Sequence, residues 1–316
     1  QEATKWWPEG FEGESGSMVA FHALVAELVD LGIFIKIHGT SSFTFRTNNV
    51  LNTLGTKADV DKAVKAARRA FESFSQTSRE ERLTLLRAIQ AEIENRKEEL
   101  ATAVSDEMGA PMSLANGPHV GLLAGHCATA IDILERFEFE RQDGPTLHVW
   151  EPIGVVGMIT PWNWPLNQIA CKVFPALATG NTMVLKPSEF APLSAQILAE
   201  IMDEAGLPAG VFNMVHGDGA QVGPMLSSDP RIDVVSLTGS TRAGESVSRE
   251  AAATIKRVSL ELGGKSANIL LPGCDLQKAV THGVRAMMNN TGMACSKRMR
   301  MKRSMRRQSS SRYTCL

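Results

Sequence analysis

The sequence predicts an α/β fold, a parallel sheet covered by helices on both faces, and two patterns carry that prediction. Short, continuously apolar runs stand at residues 153–159, 182–185, 211–215, 232–237 and 267–271, and the segments between them, among them 192–205, 241–253 and 275–290, have helical length and period. A strand with one wet face alternates polar and apolar residues, whereas a strand buried on both faces is apolar throughout. Strands of the second kind separated by helices form parallel sheets, and such sheets bind ligands at their carboxyl edge.

Taken in order, residues 1–56 show no consistent period: Trp6, Trp7 and Pro8 precede a Gly/Glu/Ser-rich stretch, an apolar run and a Ser/Thr/Phe stretch, and the segment stays unassigned. From Lys57 the pattern is helical, with Ala63, Ala66, Ala67, Ala70, Phe71 and Phe74 on one stripe after Asp59. A second helix is expected over 79–108, with Leu83, Leu86, Ile89 and Ile93 on one face and Gly109, Ala110 and Pro111 ending it. A third is expected to run to about Phe137, and the alternation of strands and helices follows.

Composition bounds the function. A chain of 316 residues, 43% hydrophobic and 21% charged, is globular and long enough for about two domains. Its five cysteines (Cys127, Cys171, Cys274, Cys295, Cys315) show no paired metal spacing, which argues against a disulfide framework and a structural zinc site; no metal is expected, and a reducing, cytoplasmic setting is. No secretory signal pattern stands at the N-terminus, and the longest apolar stretch, 18–37, contains His22, Glu27, Asp30 and Lys36, so no membrane span is expected. The net charge of −1 conceals an asymmetry: residues 296–316 hold eight basic groups and no acid, leaving 25 of the 33 basic groups against all 34 acidic ones in the body. An acidic body disfavours nucleic acid as a partner, although the basic tail alone would favour it or an anionic surface.

The distinctive residues fall at the carboxyl ends of the expected strands. The first strand runs into Thr160, Pro161, Trp162, Asn163, Trp164 and Pro165, a stiff loop able to hold the Asn163 amide in one orientation, where it either stabilises an oxyanion or caps the next helix. After the second strand come Lys186, Pro187, Ser188 and Glu189, a spacing that suits either the two hydroxyls of a ribose or a solvated charge pair. A Glu189 facing a ribose would repel a 2′-phosphate and favour NAD over NADP. Thr238, Gly239, Ser240 and the residues to Gly244 lead into a helix whose free N–H groups suit a pyrophosphate. Residues 217–223 come close to a dinucleotide glycine fingerprint but carry one residue too many, and read as a turn opening a helix. Glu261, before Gly263 and Gly264, is a carboxylate base or a solvated strand end, and Cys295, 34 positions later, is a thiol nucleophile or a small buried side chain.

Together these residues resemble the NAD(P)-dependent aldehyde dehydrogenase superfamily over 57–295, through five motifs in the family's order: Pro-Trp-Asn-Trp-Pro, Lys-Pro-Ser-Glu, Leu-Thr-Gly-Ser-Thr, Leu-Glu-Leu-Gly-Gly-Lys-Ser and Asn-Thr-Gly-x-x-Cys. The resemblance implies a Rossmann-type domain followed by the start of a second, catalytic α/β domain. It implies Cys295 as nucleophile, Glu261 as general base and Asn163 as oxyanion donor. It places Ile159, Thr160, Trp162, Lys186, Ser188, Glu189, Gly239, Ser240, Gly244 and Leu262 around NAD, NADP being disfavoured by Glu189 alone, and implies a small aldehyde as substrate.

The sequence departs from the family pattern in three places. Met293 stands where members commonly have glutamine, residues 1–56 lack the usual opening strands, and the basic stretch 296–316 replaces the continuation that in members completes the catalytic domain and supplies an oligomerisation strand. The sequence therefore divides into an unassigned segment 1–56, a helical lead-in with the dinucleotide domain over 57–262, the start of a catalytic domain over 263–295, and a disordered tail. A reading-frame shift near residue 296 is expected, and with it the alternative of a truncated, inactive chain that at most binds nucleotide.

Overall fold

The computed structural model describes residues 44–47, 50–264, 269–271 and 273–293, and the chain divides between Leu262 and Gly263 into two compact units. In the first unit a short antiparallel pair, β1 (Thr44–Thr47) and β2 (Val50–Thr53), precedes α1 (Lys57–Phe74). The Asp59 carboxylate accepts from the backbone N–H and hydroxyl of Thr56 and holds the start of α1. Ser78 and Glu81 form a reciprocal capping box at the start of α2 (Arg79–Asn95). The single helix expected over 79–108 is two: Arg96 leaves helical geometry at φ −106°, ψ 19°, and α3 (Lys97–Met108) begins after it. The Arg96 guanidinium binds Glu99, Glu200 and Glu204, which fixes the break against a distant helix. Gly109 ends α3 at φ 71°, the left-handed cap that glycine supplies most readily. A helical turn (Met112–Leu114) and a π-helical turn containing Pro118 (Ala115–His119) lead into α4 (Val120–Arg136).

An exposed hairpin that the sequence pattern did not reveal, β3 (Glu140–Asp143) with β4 (Thr146–Val149), separates the helices from the main sheet. That sheet contains β5 (Val155–Ile159), β6 (Thr182–Lys186), β7 (Phe212–Met214), β8 (Val234–Gly239) and β9 (Arg257–Leu262), all parallel, in the spatial order β7-β6-β5-β8-β9. The intervening helices are α5 (Pro165–Ala178), α6 (Leu193–Glu204), α7 (Gly219–Ser228) and α8 (Thr241–Ala252). Four of the expected strands are present with small shifts of boundary; the fifth is a correction. The strand is Arg257–Leu262, half exposed at the sheet edge, and the described part of 267–271 (residues 269–271) is not a strand. Val155 and Ile159 of β5, Val184 of β6 and Val235 and Leu237 of β8 pack with Val60 and Val64 of α1, Val222 and Leu226 of α7 and Val247 of α8 in one buried cluster. By strand alternation Met158, Met183 and Leu185 point to the opposite face, and all three are at most 1% exposed.

The second unit holds α9 (Leu276–Met287), started by Asp275 accepting from the Lys278 N–H, and a 3₁₀ turn (Asn289–Gly292) in which Asn290 adopts φ 53° and Gly292 φ 80°. Cys295 and the tail lie outside the described residues, as do Trp6, Trp7 and the rest of the N-terminal stretch before Thr44. Among the described residues no helix is long and apolar enough to cross a membrane.

Candidate functional site

Strand order decides where a ligand fits. The chain enters the sheet at its centre with β5, winds outward through β6 and β7, then returns to the other side of β5 with β8 and β9. Connections therefore leave β5 and β8 toward opposite faces and open a crevice at their carboxyl ends, the position where doubly wound sheets bind nucleotides. The register brings most of the expected residues to this edge: Ile159 pairs with Lys186 on one side and Leu237 on the other, and Thr238 and Gly239 pair with Glu261 and Leu262.

Two buried hydroxyls stand at this crevice without partners. Thr160 Oγ1 follows β5, Thr238 Oγ1 lies near the end of β8, and neither makes a hydrogen bond. A buried polar atom left unpaired costs about 1–3 kcal/mol, so a polar ligand at this edge would recover energy that the chain alone forfeits. Beside them Ser240 caps α8, its Oγ accepting from Ala243 N–H at 3.2 Å. The hydroxyl is thus committed to the helix, and the free donors of the first turn are backbone N–H groups suited to an anion. Gly244 lets α8 approach β9, since a Cβ there would lie 2.7 Å from Leu262 Cδ2.

The Lys186–Glu189 pair is not a solvated one. Lys186 is 2% exposed and its Nζ donates to Glu189 Oε2 at 2.6 Å, while Glu189 Oε1 accepts from Gly219 N–H at 3.4 Å. Residues 217–223 open α7 as expected, with Asp218 as the cap, and the carboxylate of Glu189 therefore sits at that helix start. Ser188 is buried and its Oγ accepts from Phe190 N–H, which tightens the loop. His216, beyond β7, has a buried Nδ1 without a partner; burial first, and then the Lys186 charge, hold its pKa below the ordinary imidazole value.

The loop after β5 is tied into the helix that follows it. Trp164 occupies the cap position of α5, Pro165 begins the helix, and Trp164 stacks on His119 with ring centroids 4.3 Å apart. Asn163 is half-buried, one residue before the cap position. Trp162 is half-buried in the same loop. Glu261 lies on β9 and is exposed. One residue that the sequence did not single out joins the site: Lys172 of α5, buried, donates from Nζ to Ser236 Oγ at 3.0 Å. Burial lowers its pKa, while Cys171 and Glu261 act on it through space in the opposite direction. Its only sequence signal is a lysine inside the apolar run of α5, which does not distinguish a site residue from a structural one. Cys295 lies outside the described residues, and among those described no three His, Cys, Asp or Glu side chains are grouped to hold a metal ion.

Comparison with known proteins is consistent across sequence and structure. The sequence profile of the aldehyde dehydrogenase family matches residues 46–309, a span wider at both ends than 57–295. The chain is 57% identical over 252 residues to a 3-succinoylsemialdehyde-pyridine dehydrogenase from a Pseudomonas species, covering 79% of this chain and 53% of that protein. It resembles the crystal structure of aldehyde dehydrogenase C from Pseudomonas syringae, solved with NAD+ and octanal, at 51% identity and a TM-score of 0.77 over 79% of this chain and 52% of that one. It also resembles betaine aldehyde dehydrogenase from Staphylococcus aureus with NAD+, at 36% identity and a TM-score of 0.72, over 75% and 48% of the two chains. The chain thus spans about half the length of the relatives it matches.

Proposed function

Because the chain belongs to the aldehyde dehydrogenase family, we propose that it binds NAD in the crevice between β5 and β8 and oxidises an aldehyde to its carboxylic acid. The observation that carries this reading is the pair of unpartnered buried hydroxyls, Thr160 and Thr238, at that crevice, beside the buried Lys186–Glu189 pair and the start of α8. The residues fit the dinucleotide: Lys186, Ser188 and Glu189 hold the adenosine ribose, Gly239 and the N–H groups following Ser240 hold the pyrophosphate, and Ile159, Thr160, Trp162, Gly244 and Leu262 line the cleft. Bound there, NAD supplies the hydride acceptor.

The chain's own groups carry the remaining steps. The Cys295 thiolate adds to the aldehyde carbon, and the Asn163 amide donates to the oxygen that becomes negative. Departure of the hydride leaves a thioester. Glu261 takes a proton from the water that attacks it, releasing the acid and the thiolate. The test is NADH absorbance with short, branched and aromatic aldehydes beside a Cys295→Ser control. Turnover that vanishes in the control supports the reading; turnover that survives it removes the thiol from the mechanism, and folded protein without turnover rejects catalysis by this chain.

A further inference from the structure

The loop carrying the ribose clamp is held at one end by β6 and at the other by a residue from a different helix. Lys186 is the last residue of β6, and Glu189 lies four residues before Leu193, where α6 starts. That helix has no cap of its own, because Pro192 at the cap position offers no acceptor side chain. The acceptor comes instead from Glu107 in the last turn of α3. Its carboxylate accepts from Leu193 N–H at 2.6 Å, from Ser194 N–H at 3.3 Å and from the Ser194 hydroxyl. Ser194 is fully buried. Between the two anchors Ala191 N–H donates to Ser188 O and Phe190 N–H to Ser188 Oγ, so displacement at the α6 end passes along a short, internally bonded loop to Glu189.

We infer that Glu107 is a positioning residue for the cofactor: by capping α6 from α3 it sets where Glu189 stands relative to Lys186, and so sets the affinity for the adenosine ribose. This rests on the reading of Lys186 and Glu189 as the ribose clamp. The experiment is calorimetric titration of the full chain with AMP, which carries the adenosine ribose and its 5′-phosphate without the nicotinamide half, and with NAD. Glu107→Ala is expected to weaken both by about tenfold, the equivalent of one lost helix cap. Glu107→Gln is expected to restore both, because its amide oxygen accepts from the two N–H groups and its NH₂ donates to the Ser194 hydroxyl. Ser78→Ala removes a comparable cap at the remote start of α2 and is expected to leave both affinities unchanged. Should Glu107→Ala fail to fold, Glu107→Asp, which shortens the reach by one methylene, carries the same expectation. Unchanged AMP affinity in the Ala or Asp variant overturns the inference, and so does an equal loss in Ser78→Ala, which would trace the effect to general stability. Failure of the unaltered folded chain to bind either nucleotide overturns the clamp reading itself.

Discussion

Gly154 leaves no room for a side chain. It precedes β5 at φ 134°, and a Cβ built there would lie 1.9 Å from Asp233 Oδ2 and 2.5 Å from Asp233 Cγ. The same carboxylate staples the two strands flanking the ligand crevice: Oδ2 accepts from Val155 N–H at 2.7 Å and Oδ1 from Arg68 at 2.8 Å. In Gly154→Ala the carboxylate must move, leaving the Val155 N–H without its acceptor, at about 1–3 kcal/mol. The backbone conformation adds about 1–3 kcal/mol of strain for a residue with a side chain. The Arg68 contact is partly solvated, so little is added for it. A loss of about 4 kcal/mol follows, a large share of the stability of a domain this size. Urea unfolding of Gly154→Ala, Asp233→Ala and the double variant separates the parts, since without the carboxylate only the strain of about 2 kcal/mol remains. An equal cost of Gly154→Ala in both backgrounds would refute the steric argument, and a cost below about 1 kcal/mol would refute the strain as well.

Other expectations follow from single sites. Ile255, 93% exposed at φ 55°, places a β-branched side chain in left-handed backbone, and Ile255→Asn should stabilise the chain by about 0.5–1 kcal/mol in the same assay. Burial raises the Glu107 pKa from 4.5 to about 7, so between those values the folded chain holds a proton that the unfolded chain has released. That contribution, about 3 kcal/mol, is fully present below pH 4.5 and is lost as pH rises through about 7, and the pH dependence should flatten in Glu107→Gln. With Glu189 at the adenosine ribose as proposed, Glu189→Gln is expected to tighten NADP relative to NAD by about tenfold in a competition titration, because the carboxylate's repulsion of a 2′-phosphate is removed, and an unchanged ratio would refute that placement.

The sequence disclosed the fold where burial is symmetric. β5 and β6 are buried at every position, and that is why they read as apolar runs. β9 escaped because it lies at the sheet edge, where Arg257, Ser259 and Glu261 alternate with Val258, Leu260 and Leu262 and conceal a strand beside the more apolar 267–271. The hairpin β3–β4 escaped for the same reason, since nearly all of it is exposed. The break at Arg96 was invisible because the partners that fix it, Glu200 and Glu204, lie more than a hundred residues away. The site divides similarly. The motif residues stood out through their local spacing, whereas Glu107, Lys172 and Asp233 gain their roles only from Ser194, Ser236 and Val155, which the fold brings to them.

Calorimetric titration of the folded chain with NAD, beside Lys186→Ala, decides whether NAD occupies the crevice at the carboxyl ends of β5 and β8. Occupancy of that crevice predicts saturable one-to-one binding that is lost or strongly weakened in the variant. Absence of binding by the folded chain, or binding equally tight without the Lys186 ammonium, would contradict it.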